Sequence, residues 1–501
     1  MQLTTTRDLS SLYAGGDDPQ IAIDNQTFIE RIDAFVAQRD QESVDFSDPP
    51  IVQQSLDDYE ALMADYPYGT REMCYRYLRD TTEGTDEIKA RLGQAEHLSR
   101  EQMIRLQFFE LNLGKIDPSH HQKLLSAPIL QPYRHFLERI RASAQHDLSR
   151  ETEKAVALLA KSSYGNWSDL VEDALKQETR TMTVDGKESE RSFEELMTLT
   201  KHANKATRDQ AATHIHEIVA KIEYMATREL NSILEYKLAT DTLRSYDRPD
   251  ASRIVSEDVD PAAVDALLQA VSDSNDIARD FYALKARLLG FEKLAYHERN
   301  LVVSLTDTPE PTYSYEQAVA LVRRVFSRMD DDFVQILDRM STQGLIDVYP
   351  RSGKRGGAFN AGMGQHVINV VMLNYTDTLN DVTTLAHEMG HACHTQLSYQ
   401  HQNALNTDYG MLTAEVSSQF MEDYVYDELI QELDDRQRLE LLMTQLNDSV
   451  SSIHRQIACY QYEQAIHQEY RQTGFVSSER LGELFTQYMS GYMGDAVTQD
   501  P

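Results

Sequence analysis

The sequence predicts a mainly α-helical fold with one small β-sheet. Three observations predict it. Apolar residues recur at helical spacing through most of the 501 residues. Strand-like runs are confined mainly to 344–375, and a pentapeptide of HExxH form, His387-Glu388-Met389-Gly390-His391, follows soon after them.

Helical runs fill residues 27–40, 53–65, 85–111, 150–178, 191–246, 314–343, 410–470 and 478–490. A further run shows the logic most clearly. Pro261 stands near its first turn, Val264, Leu267, Leu268 and Val271 form an i, i+3, i+4, i+7 stripe, and Ile277, Phe281, Leu284 and Leu288 continue it up to Gly290, a C-terminal stop. The turn-like segments Thr183–Lys187 and Asp247–Asp250 break the helices. Residues 1–200 are expected to form an N-terminal helical domain, in which Trp167, the one tryptophan, anchors the core; residues 201–501 are expected to carry the functional site. Within 344–375, Val367–Leu373 is a β-branched run preceded by Gly356, Gly357, Gly362 and Gly364, which would allow close backbone approach.

Two histidines four apart lie on one helix face, so His387 and His391 can reach a single metal ion, and Glu388 is placed to take a proton from water. A helix over 383–397 suits them, with Leu385, Met389 and Ala392 on its apolar side and Asp381 expected as its N-cap. A third ligand is needed. Glu415 lies 415 − 391 = 24 residues beyond the second histidine, on a second helical segment from Thr413 to Glu422, far enough for a loop and a return. Two His, one carboxylate and one open position make the catalytic kind of zinc site, with one Zn²⁺ expected per chain. Glu422, two helical turns from Glu415, reads either as the acceptor for a ligand histidine's second N–H or as a solvent-facing residue; Asp381 is a weaker acceptor. Cys393 and His394 read as neighbours of the site, not ligands. Arg351, Lys354 and Arg355 form a local positive cluster, either a solvated turn or a hold on a peptide carboxylate.

Gly353–Phe359, Asp381–His391 and Ala414–Gln419 together resemble the oligoendopeptidase F branch of the thimet oligopeptidase family. Asp8–Tyr13 is similar to that branch's N-terminal opening and Tyr282–Gly290 to its mid-chain helix, so the resemblance covers nearly the whole chain. It implies a two-lobed helical metallopeptidase of zincin type, with a small sheet beside the metal helix and a deep channel that admits short unstructured peptides for internal cleavage. Residue by residue, His387, His391 and Glu415 match the zinc ligands and Glu388 the general base. Part of 356–364 is then expected to contact substrate, the alternative being a hairpin that only supports the helix. The family's pattern runs on into a segment rich in His, Tyr and Phe, whose His and Tyr hydroxyls face the substrate carbonyl. No such segment is found before Pro501. Loss of one oxyanion donor typically costs about a hundred- to a thousandfold in turnover, so the sequence also fits a fragment, or a catalytically silent metal- and peptide-binding relative. Carboxypeptidase action would use the same metal site.

Composition narrows the partners. With 41% hydrophobic and 26% charged residues the chain has ample material for a core. Its net charge of −33 argues against nucleic acid and anionic membrane surfaces as partners. The three cysteines, Cys74, Cys393 and Cys459, are too few and scattered for a disulfide framework, and the first residues contain no apolar leader, so a cytoplasmic location is expected. Oligomeric state is not legible in the sequence.

Overall fold

The computed structural model describes residues 2–498 apart from 16–17, 66, 83–84, 305–310, 352, 363 and 366–368, and does not describe the side chains of 67–70 and 161. The described residues are mainly helical, with three small sheets. They gather into two compact units, each assembled from two stretches: Met1–Gln145 with Pro309–Glu432, and His146–Thr308 with Leu433–Pro501. This corrects the division into 1–200 and 201–501. The reason lies in long-range pairing that local sequence patterns do not carry. The backbone of Thr4 donates to Ser341 at 2.8 Å, Asp8 to Gly344 at 2.6 Å, and Val348 back to Thr5 at 3.1 Å. Gly344 has φ +71°, and a Cβ there would lie 2.7 Å from that of Asp8, so glycine permits this contact.

In the first unit the helices Pro19–Arg39, Pro49–Ala64 and Asp86–Gly114 enclose a core around Phe28, Ile32, Phe35, Leu56, Tyr59 and Phe109. Phe109 meets Phe35 edge-on, with ring centroids 5.3 Å apart, and tilts against Tyr59 at 4.8 Å. Beside this core lies a three-stranded sheet. Its central strand, Val370–Met372, runs parallel to Ile346–Asp347 and antiparallel to the edge strand Phe359–Ala361. The expected strand 367–373 is thus present over its middle; Val367 and Ile368 lie outside the described residues. Tyr77 ties the sheet to the N-terminal helices by donating its hydroxyl to Val371 O at 2.8 Å. Helix Leu379–His401 follows, begun by a capping box in which Thr378 is the N-cap and Asp381 the third helical residue. Asp381 is therefore not the cap: its Oδ2 takes the backbone N–H groups of Thr376 and Thr378.

The second unit contains the expected pair of helices Pro261–Asp273 and Asn275–Leu288, the first capped by Asp260, with Gly290 at φ +74° just beyond the second. It also contains a hairpin between the expected helical runs 150–178 and 191–246, overlapping the second by two residues. Thr179–Val184 pairs with Lys187–Ser192 across Asp185 and Gly186, both at positive φ. An Asp-Gly pair suits such a tight turn, and the alternating threonines before it favour a strand. Trp167 is 38% exposed on helix Asn166–Gln177, whose buried residue is Val171, so it does not anchor the core as expected. Among the described residues no helix is long and apolar enough to cross a membrane.

The sheet's first strand ends in a buried charge cluster. Arg351 grips the Asp347 carboxylate through both terminal nitrogens at 2.9 and 2.6 Å, Lys354 reaches it at 2.6 Å, and Arg7 at 3.3 Å. Arg351 also donates to Thr81 O at 2.5 Å. Two of the three expected surface cations are thus consumed internally, whereas Arg355 is exposed and pairs with Asp80. Burial alone would raise the Asp347 pKa, yet the hydrogen bonds from Arg351 and Lys354 and their charges hold it below the ordinary value. Asp347→Asn leaves these cations without their shared counter-charge and should cost about 3–5 kcal/mol in urea unfolding at neutral pH. A carboxylate with a depressed folded pKa stabilises above its unfolded value and loses that contribution as pH falls through the folded one. The gap between wild type and variant should therefore be constant near neutrality and narrow below about pH 4.

Candidate metal centre

His387, Glu388 and His391 all lie on helix Leu379–His401. Helical spacing sets the two imidazoles on one face, ring centroids 4.9 Å apart and planes at 85°. The chain then turns through 402–410 and returns as helix Met411–Glu432, which carries Glu415 and Glu422.

The two helices touch at Gly390. A Cβ on that residue would stand 2.6 Å from Ser417 O and 2.7 Å from Ser418 Cα. This backbone-to-backbone approach sets Glu415 over the histidines: Glu415 Oε2 lies 3.5 Å from His387 Nε2 and 3.7 Å from His391 Nε2. The three ligand atoms fall within 4.8 Å of one another. Tetrahedral zinc with bonds of about 2.0–2.2 Å needs ligand atoms roughly 3.4 Å apart, so the donor set and its spacing fit that ion.

Supporting groups orient each member. Ser418 Oγ donates to Glu415 Oε2 at 2.8 Å. Glu422 Oε2 lies 3.0 Å from His387 Nδ1, which places the ring proton there and leaves Nε2 as the lone pair towards Glu415. Between the two readings of Glu422, the geometry therefore gives the acceptor. His391 is held by a hydrogen bond to the backbone of Ala414. Thr395 donates to His391 O at 2.9 Å and meets the Tyr409 hydroxyl at 2.7 Å, fastening the connecting turn to the helix. His394 stacks on Tyr409 at 4.1 Å, and Cys393 is a buried free thiol.

Glu388 is buried, and its Oε2 has no hydrogen-bond partner. Burial, reinforced by the charges of Glu415 and Glu422, lifts its pKa to about 7 against the opposing pull of His387 and of a hydrogen bond from the Asn360 backbone. That bond brings the sheet's edge strand into the site. Burial tends to lower the His387 pKa, but the hydrogen bond to Glu422 and the surrounding carboxylates raise it; for His391, burial and the neighbouring His387 lower it.

All four residues singled out from the sequence thus converge. The residues missed were Ser418, Ala414, Asn360, Thr395, Tyr409 and the contact role of Gly390. Gly390 carried a signal as a residue without a side chain in the middle of a helix whose neighbours must pack, and Ala414, Ser418 and Asn360 lay in segments already singled out, though without these roles.

A second cluster, Asp209, His297 and Glu298, also brings potential ligand atoms together. Lys205 and Arg208 already neutralise it, Arg208 reaching Glu298 at 2.8 Å and Lys205 reaching Asp209 at 2.9 Å, which makes it an ion-pair network.

Known proteins share this arrangement of helices. The pattern of peptidase family M3 matches residues 191–501, and that of oligopeptidase F matches 112–175. The chain belongs to peptidase family M3. It is similar to the group B oligopeptidase PepB of Streptococcus agalactiae, 24% identical over 392 residues that make up 77% of this chain and 64% of that protein. It is also similar to an oligoendopeptidase F homolog of Lactococcus lactis, 25% identical over 400 residues, 79% of this chain and 66% of the other. The chain therefore spans just under two thirds of these relatives' length. In fold it matches the oligoendopeptidase F structure from Enterococcus faecium, with TM-score 0.68, 17% identity and coverage of 95% and 80% of the two chains. It likewise matches a PZ peptidase A structure with an inhibitor, with TM-score 0.70, 13% identity and coverage of 98% and 80%.

Two substitutions test the geometry. Gly390→Ala should push the return helix away, lowering zinc affinity at least about tenfold in calorimetric titration and costing roughly 1–3 kcal/mol of stability. Glu422→Gln keeps the volume but weakens the anchor of His387; zinc affinity should drop about 10- to 100-fold while the thermal midpoint of the metal-free chain barely moves.

Proposed function

We propose that the chain is a zinc-dependent oligoendopeptidase that hydrolyses internal bonds of short unstructured peptides. The observation that carries this reading is the buried, partnerless Oε2 of Glu388 beside three ligand atoms within 4.8 Å of one another. His387, His391 and Glu415 would hold one Zn²⁺ per chain. Bound there, zinc supplies a Lewis acid that polarises a carbonyl and acidifies water towards a pKa of about 7.

The chain's own groups do the rest. Glu388 Oε2 accepts the proton of the attacking water and returns it to the departing amine nitrogen; a carboxyl lifted to about 7 can do both near neutrality. Glu422 and Ser418 hold His387 and Glu415 in place without touching the substrate. The strand Phe359–Ala361 pairs on one side with Val370–Met372 and reaches Glu388 through Asn360, so its outer edge suits an extended peptide lying across the site. The three free cysteines, Cys74 and Cys393 among them buried, fit a reducing cytoplasm.

Cleavage of an internally quenched peptide of about ten residues by the zinc-loaded chain should fall at least about a hundredfold in Glu388→Gln, with zinc content unchanged. Mapping the products on an end-blocked peptide separates internal from terminal cleavage. One bound zinc per chain with no cleavage of any peptide would instead support a metal- and peptide-binding relative.

A further inference from the structure

The edge strand Phe359–Ala361 is three residues long and its ladder partner is Val370–Met372. Its middle residue, Asn360, stands opposite Val371 in antiparallel register. Val371 spends its own groups on the far side of its strand: its N–H goes to Leu345 O at 2.9 Å, and its carbonyl takes the Tyr77 hydroxyl at 2.8 Å. Antiparallel partners alternate between pairs that exchange backbone hydrogen bonds and pairs that do not, so Asn360 and Val371 are of the second kind. The backbone N–H and C=O of Asn360 therefore point to the open edge, where the N–H meets the Glu388 carboxylate. The ladder itself does not hold those two groups.

The side chain of Asn360 does. Its Oδ1 accepts from Asn369 Nδ2, and its Nδ2 donates to Thr395 Oγ1 at 3.4 Å. Thr395 lies 395 − 388 = 7 residues, two turns, beyond Glu388 on the same side of the metal helix, and it donates to His391 O at 2.9 Å. One residue thus attaches to that helix at two points, by its main chain at Glu388 and by its side chain at Thr395. Asn369 is fully buried, and its Oδ1 has no partner among the described residues. A buried acceptor left unmade costs stability, so a leucine of like shape would serve the core better; what the amide supplies is the hydrogen bond that fixes Asn360. We propose that Asn360, clamped by Asn369, is a positioning residue that holds the open strand edge in register with Glu388. The inference rests on the peptidase reading and adds to it the link that aligns peptide and base. Through Asn360, the strand that would receive the peptide and the carboxylate that would take the water proton are set as one piece. Loosening it costs alignment at the reacting bond and leaves the contacts that bind the peptide.

The experiment places Asn369→Leu in the zinc-loaded full chain and follows cleavage of the internally quenched peptide. kcat should fall about tenfold or more with KM within about twofold of wild type, while the thermal midpoint of the metal-free chain does not fall. On an Asn360→Ala background, itself slowed about as much, Asn369→Leu should have no further effect, since both remove the same bond. A second readout needs no cleavage: exchange of the Asn360 backbone amide, followed by NMR of the chain labelled with nitrogen-15 asparagine. It should quicken about tenfold or more in Asn369→Leu and in Glu388→Ala, while the helical amide of Asn231 keeps its rate. An unchanged kcat in Asn369→Leu overturns the proposal even if exchange quickens. So does a loss shared by kcat and KM with a lower midpoint, the mark of a purely structural residue, and so do effects of the two substitutions that add. If the wild type cleaves no peptide, the peptidase reading falls and exchange alone decides: a faster rate upholds the link between strand and helix, and an unchanged rate overturns it.

Discussion

The candidate metal centre depends on one steric condition, that the helix bearing both histidines has no side chain at residue 390. Two helices ordinarily pack with their axes about 8–10 Å apart, side chains filling the space between. At Gly390 the backbone of Ser417 and Ser418 comes close enough that a methyl group would overlap it. The carboxylate of Glu415 is short, and its reach to the His387 and His391 nitrogens at 3.5 and 3.7 Å exists because the helix carrying it is this near. The Ser418 bond to Glu415 and the Glu422 bond to His387 follow from the same approach, since all three residues ride on that helix. Sequence pattern, crossing geometry and ligand spacing are thus one constraint expressed at three levels.

Electrostatics then separates four carboxylates by environment. Glu415 accepts from Ser418, Glu422 accepts from the His387 ring N–H, and Asp381 is occupied with the start of its helix. Glu388 alone is buried with an oxygen that has no partner, and burial makes its charged form costly. Asp347 shows the opposite solution in the same unit: a carboxylate with no exposed surface stays ionised because three cations surround it.

What the sequence made legible was the placement of residues that local spacing encodes. His387 and His391 share a face because helices repeat every 3.6 residues, and Glu415 sits where a return helix must bring it. The helices with strong apolar stripes were likewise readable. The helices Pro118–Ser126 and Arg134–Ala144 were not, being brief, and Pro67–Thr81 was not because charged residues and tyrosines leave it without a clear aliphatic stripe. The hairpin at 179–192 was masked by charged residues on its exposed face, although Asp185-Gly186 marked its turn. The pairing of residues 4–8 with 341–348, and the capture of Arg351 and Lys354 by Asp347, depend on segments distant in sequence or on burial that no local pattern records. Thr378 rather than Asp381 caps the metal helix because both suit that end, and only the geometry of the turn decides between them.

The assembly of each unit from two separated stretches has a bearing on biosynthesis. The N-terminal segment has its backbone partners at 341–348. At a translation rate of about 5–20 residues per second, some 340 residues and therefore roughly 17–70 seconds separate the two. During that interval the emerging polypeptide holds Thr4 to Asp8 without the segment against which they pack, while all of residues 146–308 are made in between. Neither unit can close as a finished body on the ribosome before much of the other has been synthesised, so the two reach completion late and within a short span of each other.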